Sequence, residues 1–528
     1  LSVGLLRDLP GGVHLAGAGR VLAVELPYRD FWTLYAPGSY ALLAALFAVF
    51  GTRALVSAAG GLALGAATAA LAQRLARQAG ARLPEALAVA AIFAAALWNT
   101  DFHRAIGTYP PAIFCYALAL LAVGRGGERP GPWALAGAGA ALGATALFKH
   151  DVGAYAALAC AATLAVQAAA RGEPAAALRR IAGMGAAALA VFAPPMLWLA
   201  AQGAWPAMWH DLVVFPATTF PVTRPEAYPS LLPSGALFDL DRPKRVLLYD
   251  AARWAIFAAP TLVAIPAIAR LLWASAGLPP EEVARGRARA VRFGVALLLH
   301  WRAAQVQINT HVVSITLFAA LLGAAALGTL PPRSRLRAAG LVVAALWHGA
   351  QLEQPAAVLR LHRDDPREPI PLRRARAFLA HPEDAARYAQ LEAIVDRHVP
   401  EDGTLFVGER RHDAVVVSDS RLYFLLERRP ATRFHELHPG VADTAPVQRE
   451  IVSDLEAHET PLVILRHTFE DEPLDAFRER LRASLPDAGT GATVLDRYLA
   501  TRYETLDRLD RLEVRTRREE PLPAEPAP

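Results

Sequence analysis

The sequence is poor in cysteine and in charge. Two cysteines, Cys115 and Cys160, occur in 528 residues, both inside apolar segments. No disulfide framework and no cysteine-based metal site follows from such a pair. Charged residues make up 20% of the chain and hydrophobic residues 54%, less charge than a soluble chain of this length ordinarily carries. A signal-peptide pattern is also lacking, because Leu1 to Leu6 is too short an apolar run. The polar last third has no G-x-G-x-x-G, P-loop or G-x-S-x-G motif.

What is there is a succession of apolar blocks. Mean hydropathy is +0.26. Ala, Leu, Gly and Val dominate ten blocks, at 54–74, 83–98, 109–124, 131–148, 153–170, 181–200, 246–274, 288–303, 311–330 and 336–351. Several reach the roughly 20 residues needed to cross a bilayer. Ala54 to Ala76 and Val312 to Leu330 show no polar face, as an amphipathic core helix would. The net charge of +5 sits mostly in the connecting loops. It therefore speaks for topology, and no nucleic-acid partner is expected.

Every second loop is short and arginine-rich: Arg74, Arg77 and Arg82; Arg125 and Arg129; Arg171, Arg179 and Arg180; Arg285, Arg287 and Arg289; Arg333, Arg335 and Arg337. The positive-inside rule makes these loops cytoplasmic. The alternate loops, with Asp101, His103 and Arg104, with Lys149, His150 and Asp151, the stretch from Gln202 to Arg245, and Gln307 to His311, then face outward. So do residues 1–52, which an earlier transmembrane helix absent from this sequence would feed. Tyr40 to Phe50 spans about 16 Å as a helix. That is too short to cross, so it is expected to lie in the interface, entered through Pro37 and Gly38, with Trp32 and Tyr35 at headgroup depth.

After Pro369 the texture changes. "TLFVGE" (Thr404 to Glu409), "AVVVSD" (Ala414 to Asp419) and "PLVILRH" (Pro461 to His467) read as buried strands. "APVQREIVSDLEAHE" and "EPLDAFRERLRASL" read as amphipathic helices. The expected fold is an all-α polytopic membrane protein of about ten spans with a C-terminal extracytoplasmic α/β domain. Its parts are a first outer loop (1–52), a helical membrane domain (53–351), a linker (352–368), the α/β domain (369–518) and a disordered tail (519–528).

Topology gathers Asp8, Arg29, Asp30, Lys149, His150, Asp151, Arg224 and His311 on the outer face. Cations at headgroup level suit a phosphate, a carboxylate suits a general base, and the helices suit an aliphatic tail. Each residue has a plainer reading. Asp30 can serve the turn of "YRDF", Lys149 and Asp151 can be a helix-capping ion pair, and Lys149 can snorkel. Asn309 can cap the helix that carries His311, and Trp205 and Trp209 suit interface anchors.

"GRVLAVELPYRDFWTLYAPGSYALLAALFAVFG" resembles the first external loop of the GT-C polyprenyl-phosphate-dependent glycosyltransferases, the group of bacterial membrane enzymes related to protein mannosyltransferases and the lipid A aminoarabinose transferase. "LFKHDVG" (Leu147 to Gly153), "LVVFPATTFP" and "AYPSLLPS" are similar to segments of the same group. The resemblance covers about residues 7–351. It implies an inverting sugar transfer from a polyprenyl-phosphate-linked donor to an envelope acceptor, by a multi-pass protein in the bacterial inner membrane surrounded by membrane lipid. No nucleotide cofactor is implied, and a divalent cation is left open. The family's early acid falls on Asp8, where the neighbouring residue departs from the pattern as Leu9, and Asp30 is the second candidate. Arg29, Lys149, His150, Asp151, Arg224 and His311 become candidate substrate or phosphate ligands. Two other classes stand beside this reading: a non-catalytic envelope scaffold, and a transporter, disfavoured by the lack of an inverted repeat and of charge near the midplane.

Overall fold

The computed structural model describes residues 12–99, 103–124, 130–223, 229, 231–232, 243–273, 280–305, 308–361, 363–413, 417–467 and 491–520. In chain order the helices are α1 (Gly12–Leu22), α2 (Gly38–Phe50), α3 (Ala54–Gln78), α4 (Leu83–Ala96), α5 (Tyr109–Val123), α6 (Pro132–Phe148), α7 (His150–Ala169) and α8 (Pro174–Leu199). The short turns α9 (Trp205–Trp209), α10 (Phe215–Thr218) and α11 (Phe220–Thr223) follow, then α12 (Lys244–Trp273), α13 (Pro280–Ala304), α14 (Ile308–Gly328) and α15 (Arg335–Leu361). Last come α16 (Pro382–His398), α17 (Arg421–Leu425), α18 (Ala445–Ala457) and α19 (Val494–Arg502).

Each of the ten apolar blocks is helical. Among the described residues five helices are long and apolar enough to cross a membrane: α3, α7, the run from Pro174 to Thr218, α12, and α14 from His311. α2, α4, α5 and α6 are apolar but shorter. α2 stops at Gly51, whose φ of 85° suits a residue without Cβ, so α2 and α3 are separate helices. The run from Pro174 is broken at Gly203, where φ is 87°.

The chain forms two compact units that do not follow sequence order. One holds residues 58–198 and 226–364, the other 1–57, 199–225 and 365–528. The first unit is a helix bundle. Its core includes Leu75, Phe93, Tyr116, Leu120, Phe293 and Phe318. α14 is almost wholly enclosed, whereas α8 has few buried positions and exposes Leu189 and Leu197. Such exposure is what a lipid-facing helix shows. One end of the bundle is held by arginine and glutamine. Arg292 donates to Gln78 Oε1 at 3.0 Å, Gln78 Nε2 donates to Leu121 O at 3.0 Å, and Arg337 pairs with the buried Glu85.

The second unit contains a five-stranded sheet ordered β4-β3-β5-β7-β6, from β3 (Thr404–Glu409), β4 (Arg429–Pro430), β5 (Leu462–Arg466), β6 (Tyr503–Leu509) and β7 (Leu512–Arg517). The pairs β3–β4 and β3–β5 are parallel, with Val407 opposite Ile464, and β5–β7 and β6–β7 are antiparallel. β1 (Glu368–Pro369) and β2 (Leu379–Ala380) form a separate short pair. β3 and β5 are buried almost throughout, which is why they are legible as apolar runs. α18 turns Gln448, Ile451 and Leu455 to the core, one stripe at helical spacing. Of the other expected elements, "EPLDAFRERLRASL" and residues 414–416 of "AVVVSD" lie outside the described residues, and Val417, Ser418 and Asp419 are not strand.

The first-loop stretch is part of this second unit. Trp32 N donates to Arg433 O at 3.1 Å. The Trp32 ring meets Phe215 edge-on at 5.6 Å and His438 at 5.8 Å. Trp32 is 3% exposed. The expectation of Trp32 at headgroup depth is thus corrected: a belt residue keeps one edge in the interface, and this indole is a core residue of its unit.

Candidate functional site

The expected site residues fall into two groups. Arg29 and Asp30 belong to the second unit, and Lys149, His150, Asp151 and His311 to the helix bundle. Asp8 and Arg224 lie outside the described residues.

Around Asp30 the backbone turns back on itself, with Tyr28 at φ 69° and its N–H donating to Phe31 O at 2.8 Å. Asp30 Oδ2 accepts from Leu26 N at 2.7 Å, and Arg29 donates to both carboxylate oxygens at 2.8 Å. Arg20 ties the same turn down, donating to Asp30 O at 2.8 Å and to Thr432 O at 3.2 Å. The hydrogen bond from Arg29 holds the Asp30 carboxyl below the usual carboxylate range, against the opposing effect of burial. A carboxylate so engaged is a weak base and a good anchor for the turn. Behind it Thr33 Oγ1 and Tyr40 Oη are 2.7 Å apart, and the His14 ring lies 5.0 Å from Tyr35 and 5.5 Å from Tyr40.

In the bundle, "LFKHDVG" is a helix break. Lys149 is extended, at φ −154° and ψ 105°, and separates α6 from α7. Gly153 is required there, because a Cβ would lie 2.6 Å from Ala146 Cα on the adjoining helix. The break presents Lys149 Nζ to Asp151 Oδ1 at 2.9 Å and places it 5.0 Å from the centroid of the Tyr109 ring. Tyr109 in turn meets His311 edge-on at 5.7 Å and His103 at 5.4 Å. His311 Nδ1 is 3.1 Å from His300 Nδ1, so one ring donates and the other accepts. Both imidazoles are buried, and the His300 ring is also 5.4 Å from Tyr155.

Lys149, Asp151 and His311 are therefore gathered at one end of the bundle by the starts of α5, α7 and α14 and the end of α13. The arginine contacts of Arg292 and Arg337 occupy the opposite end. His150 sits beside the pair as the first residue of α7. Sequence reasoning missed Tyr109 and His300 as members of this cluster. Tyr109 had a signal, since it stands before Pro110 and Pro111 at the head of an apolar helix. His300 had none, because it lies within a helix and meets His311 only through tertiary packing.

The arrangement offers an ammonium group, a carboxylate, three imidazoles and a phenol ring on a mostly apolar frame. That suits an anion presented with an apolar body. Among the described residues no group of three His, Cys, Asp or Glu side chains is placed to hold a metal ion.

No family model matches the chain, and no curated protein matches it in sequence. Solved structures do match in fold. The aminoarabinose transferase ArnT from Cupriavidus metallidurans in the apo state is similar with a TM-score of 0.55 and 13% identity, over 97% of this chain and 94% of that one. The same protein bound to undecaprenyl phosphate is similar with a TM-score of 0.53 and 12% identity, over 96% and 94%. At such identities the likeness speaks for the fold. The chain shares the fold of these ArnT structures.

Proposed function

We propose that the protein is a membrane glycosyltransferase that moves a sugar from a polyprenyl-phosphate carrier to an acceptor in the cell envelope, on the outer face of a bacterial inner membrane. The observation that carries this reading is the cluster of Lys149, Asp151, Tyr109 and His311 at one end of a bundle with the GT-C fold. The undecaprenyl phosphate bound by the structurally similar ArnT supports the choice of carrier.

In this reading the polyprenyl tail lies among the helices and the phosphate comes to Lys149. An ammonium has three donors, so a phosphate oxygen joins the Asp151 carboxylate on it. Asp151 holds the ammonium in place, and His311 with its partner His300 supplies a neutral donor beside it. The acceptor hydroxyl attacks the anomeric carbon directly. The bond from that carbon to the phosphate oxygen breaks, and polyprenyl phosphate leaves with the electron pair, so the configuration inverts. The hydroxyl proton passes to a carboxylate. Asp8 is assigned this role from the family resemblance, and Asp30, whose oxygens are engaged by Arg29 and the Leu26 amide, holds the first loop. A positioned base contributes about 10²–10⁴-fold. The leaving phosphate needs cations more than an acid, unlike the two-carboxylate arrangement of soluble glycosidases. Arg29 and Arg224 are assigned to phosphate or donor contact on the same grounds.

The test is transfer from a radiolabelled polyprenyl-phosphate sugar by the purified full-length protein in membranes. Asp8→Asn is expected to abolish turnover with donor binding retained, and Asp30→Asn to leave measurable transfer. If the unaltered protein transfers sugar from no such donor, the enzyme reading falls and a scaffold role takes its place.

A further inference from the structure

The hairpin of α13 and α14 sets two histidines level. His300 stands one turn before the end of α13, and His311 one turn into α14. Their Nδ1 atoms are 3.1 Å apart. One Nδ1 therefore carries a proton and the other is bare, and the two rings are not both imidazolium. Two arrangements satisfy this contact. In the first, His300 donates from Nδ1 to His311 Nδ1, and His311 keeps its own proton on Nε2. In the second, His311 donates from Nδ1, and its Nε2 is bare. The first makes His311 a hydrogen-bond donor to the Lys149 cluster, the second an acceptor.

The charged members of the cluster do not choose between them. Asp151 favours an N–H on His311, Lys149 favours a bare nitrogen, and both act on this ring. The choice falls at the other end of the pair. His300 is fully buried. Its ring is stacked on Phe318 at 5.5 Å and on Tyr116 at 6.1 Å, and meets Tyr155 edge-on at 5.4 Å. Among the described residues its Nε2 has no hydrogen-bond partner. A proton there would be a buried donor with nothing to receive it. In protein interiors orphaned N–H groups are rarer than under-used acceptors, and an orphaned donor costs its full desolvation. The His300 proton is better placed on Nδ1, where His311 accepts it.

We infer that His300 is a positioning residue: it donates to His311 Nδ1 and so fixes His311 with its proton on Nε2, as a donor to a phosphate oxygen held by Lys149. The hydrogen bond made by one ring nitrogen sets the proton on the other. Such a donor adds a hydrogen bond beside the ammonium without adding charge. For its ligand the inference rests on the glycosyltransferase reading, whereas the tautomers themselves do not.

The test joins a spectrum to a binding measurement, both on the full-length protein in lipid nanodiscs. Nuclear magnetic resonance of nitrogen-15-labelled histidine separates ring nitrogens that carry a proton from bare ones. Comparison with His300→Asn and His311→Gln assigns the two rings. At pH 7 His311 is expected to be protonated on Nε2 and bare on Nδ1, and His300 the reverse. A His311 ring protonated on Nδ1, as the other tautomer or as the cation, overturns the inference. Binding of undecaprenyl phosphate is then compared among variants. His300→Phe keeps a ring in the packing but has no donor. It is expected to weaken binding by about threefold to tenfold, the range for one neutral hydrogen bond. His300→Asn puts an amide N–H where Nδ1 was, and is expected to recover most of that loss. A purely structural role predicts the opposite order, since the smaller Asn leaves a cavity. Equal binding by the unaltered protein and a folded His300→Phe overturns the inference, as does weaker binding by His300→Asn than by His300→Phe. If the unaltered protein binds no undecaprenyl phosphate, the carrier reading falls and the role of His311 falls with it. If it binds but shows the other tautomer, the inference alone falls. Where His300→Phe does not fold, the spectrum of the unaltered protein still decides.

Discussion

Lys149 Nζ lies 2.9 Å from Asp151 Oδ1 across the break between α6 and α7, with the Tyr109 ring 5.0 Å from the ammonium. The two residues are separated by one position in sequence, yet they are partners because Lys149 is extended while Asp151 is already in the first turn of α7. An acid in that turn also complements the positive end of the helix. The carboxylate therefore has a structural reason to be there, and it holds the ammonium in place.

Replacing Lys149 by Ala is expected to weaken use of the polyprenyl-phosphate carrier by about tenfold to a hundredfold, the range for one charge-assisted hydrogen bond of about 1.5–3 kcal/mol. The measurement is the apparent KM for the donor in proteoliposomes. An unchanged KM with a lowered thermal midpoint would reduce Lys149 to the structural partner of Asp151.

The antiparallel strands β6 and β7 carry a pH-dependent element. Glu513 is buried, which opposes its ionisation. Hydrogen bonds from Arg515 at 2.7 Å, Thr505 at 2.6 Å and His467 at 3.0 Å overcome this and lower its pKa from 4.5 to about 2. A depressed carboxylate pKa stabilises the folded state above the unfolded value, and that contribution is lost as pH falls toward the folded value. Hydrogen-exchange protection of residues 503–517 should accordingly hold at pH 6 and decline between about pH 4.5 and 2. The decline should be blunted in Glu513→Gln. Protection that is flat across this window in the unaltered protein would contradict the assignment.

Gly139 and Gly143 stand four apart on α6 and let it approach α8. A Cβ at these positions would lie 2.2 Å from Met184 O and 2.3 Å from Ala188 O. Backbone so close cannot yield as a flexible side chain can. Gly143→Val is expected to destabilise the bundle by about 1–3 kcal/mol, read as a lowered thermal midpoint in detergent. A midpoint equal to that of the unaltered protein would mean the two helices are not in this contact.

Trp32→Ala should behave as a core deletion. It removes a buried aromatic that packs on Phe215 and His438, at an expected cost of about 3–5 kcal/mol. Proteolysis of the residues 365–528 should become faster while membrane association is retained. Loss of membrane association with unchanged protease resistance would instead return Trp32 to the interface.

The sequence alone determined the helical blocks, because an unbroken apolar run of that length has no other stable backbone in lipid. It also determined β3 and β5, whose buried apolar residues stand out from polar surroundings. The hairpin of β6 and β7 was not legible. β6 exposes most of its residues and is held by pairing with β7, and pairing leaves no mark in a run such as "ETLDRLDRLEVRTR". In the same way Lys149 and Asp151 were legible as neighbours, charged and next to a helix. Topology already set His311 on the same face, but the company of Tyr109 and His300 was decided only by the tertiary structure, because α5, α7, α13 and α14 meet through small and apolar side chains that any sequence of this composition supplies. Trp32 makes the same point in reverse. An aromatic residue before an apolar helix suits the membrane interface and a protein core equally well, and the contacts with Phe215 and His438, some two and four hundred residues further along the chain, are what chose the core.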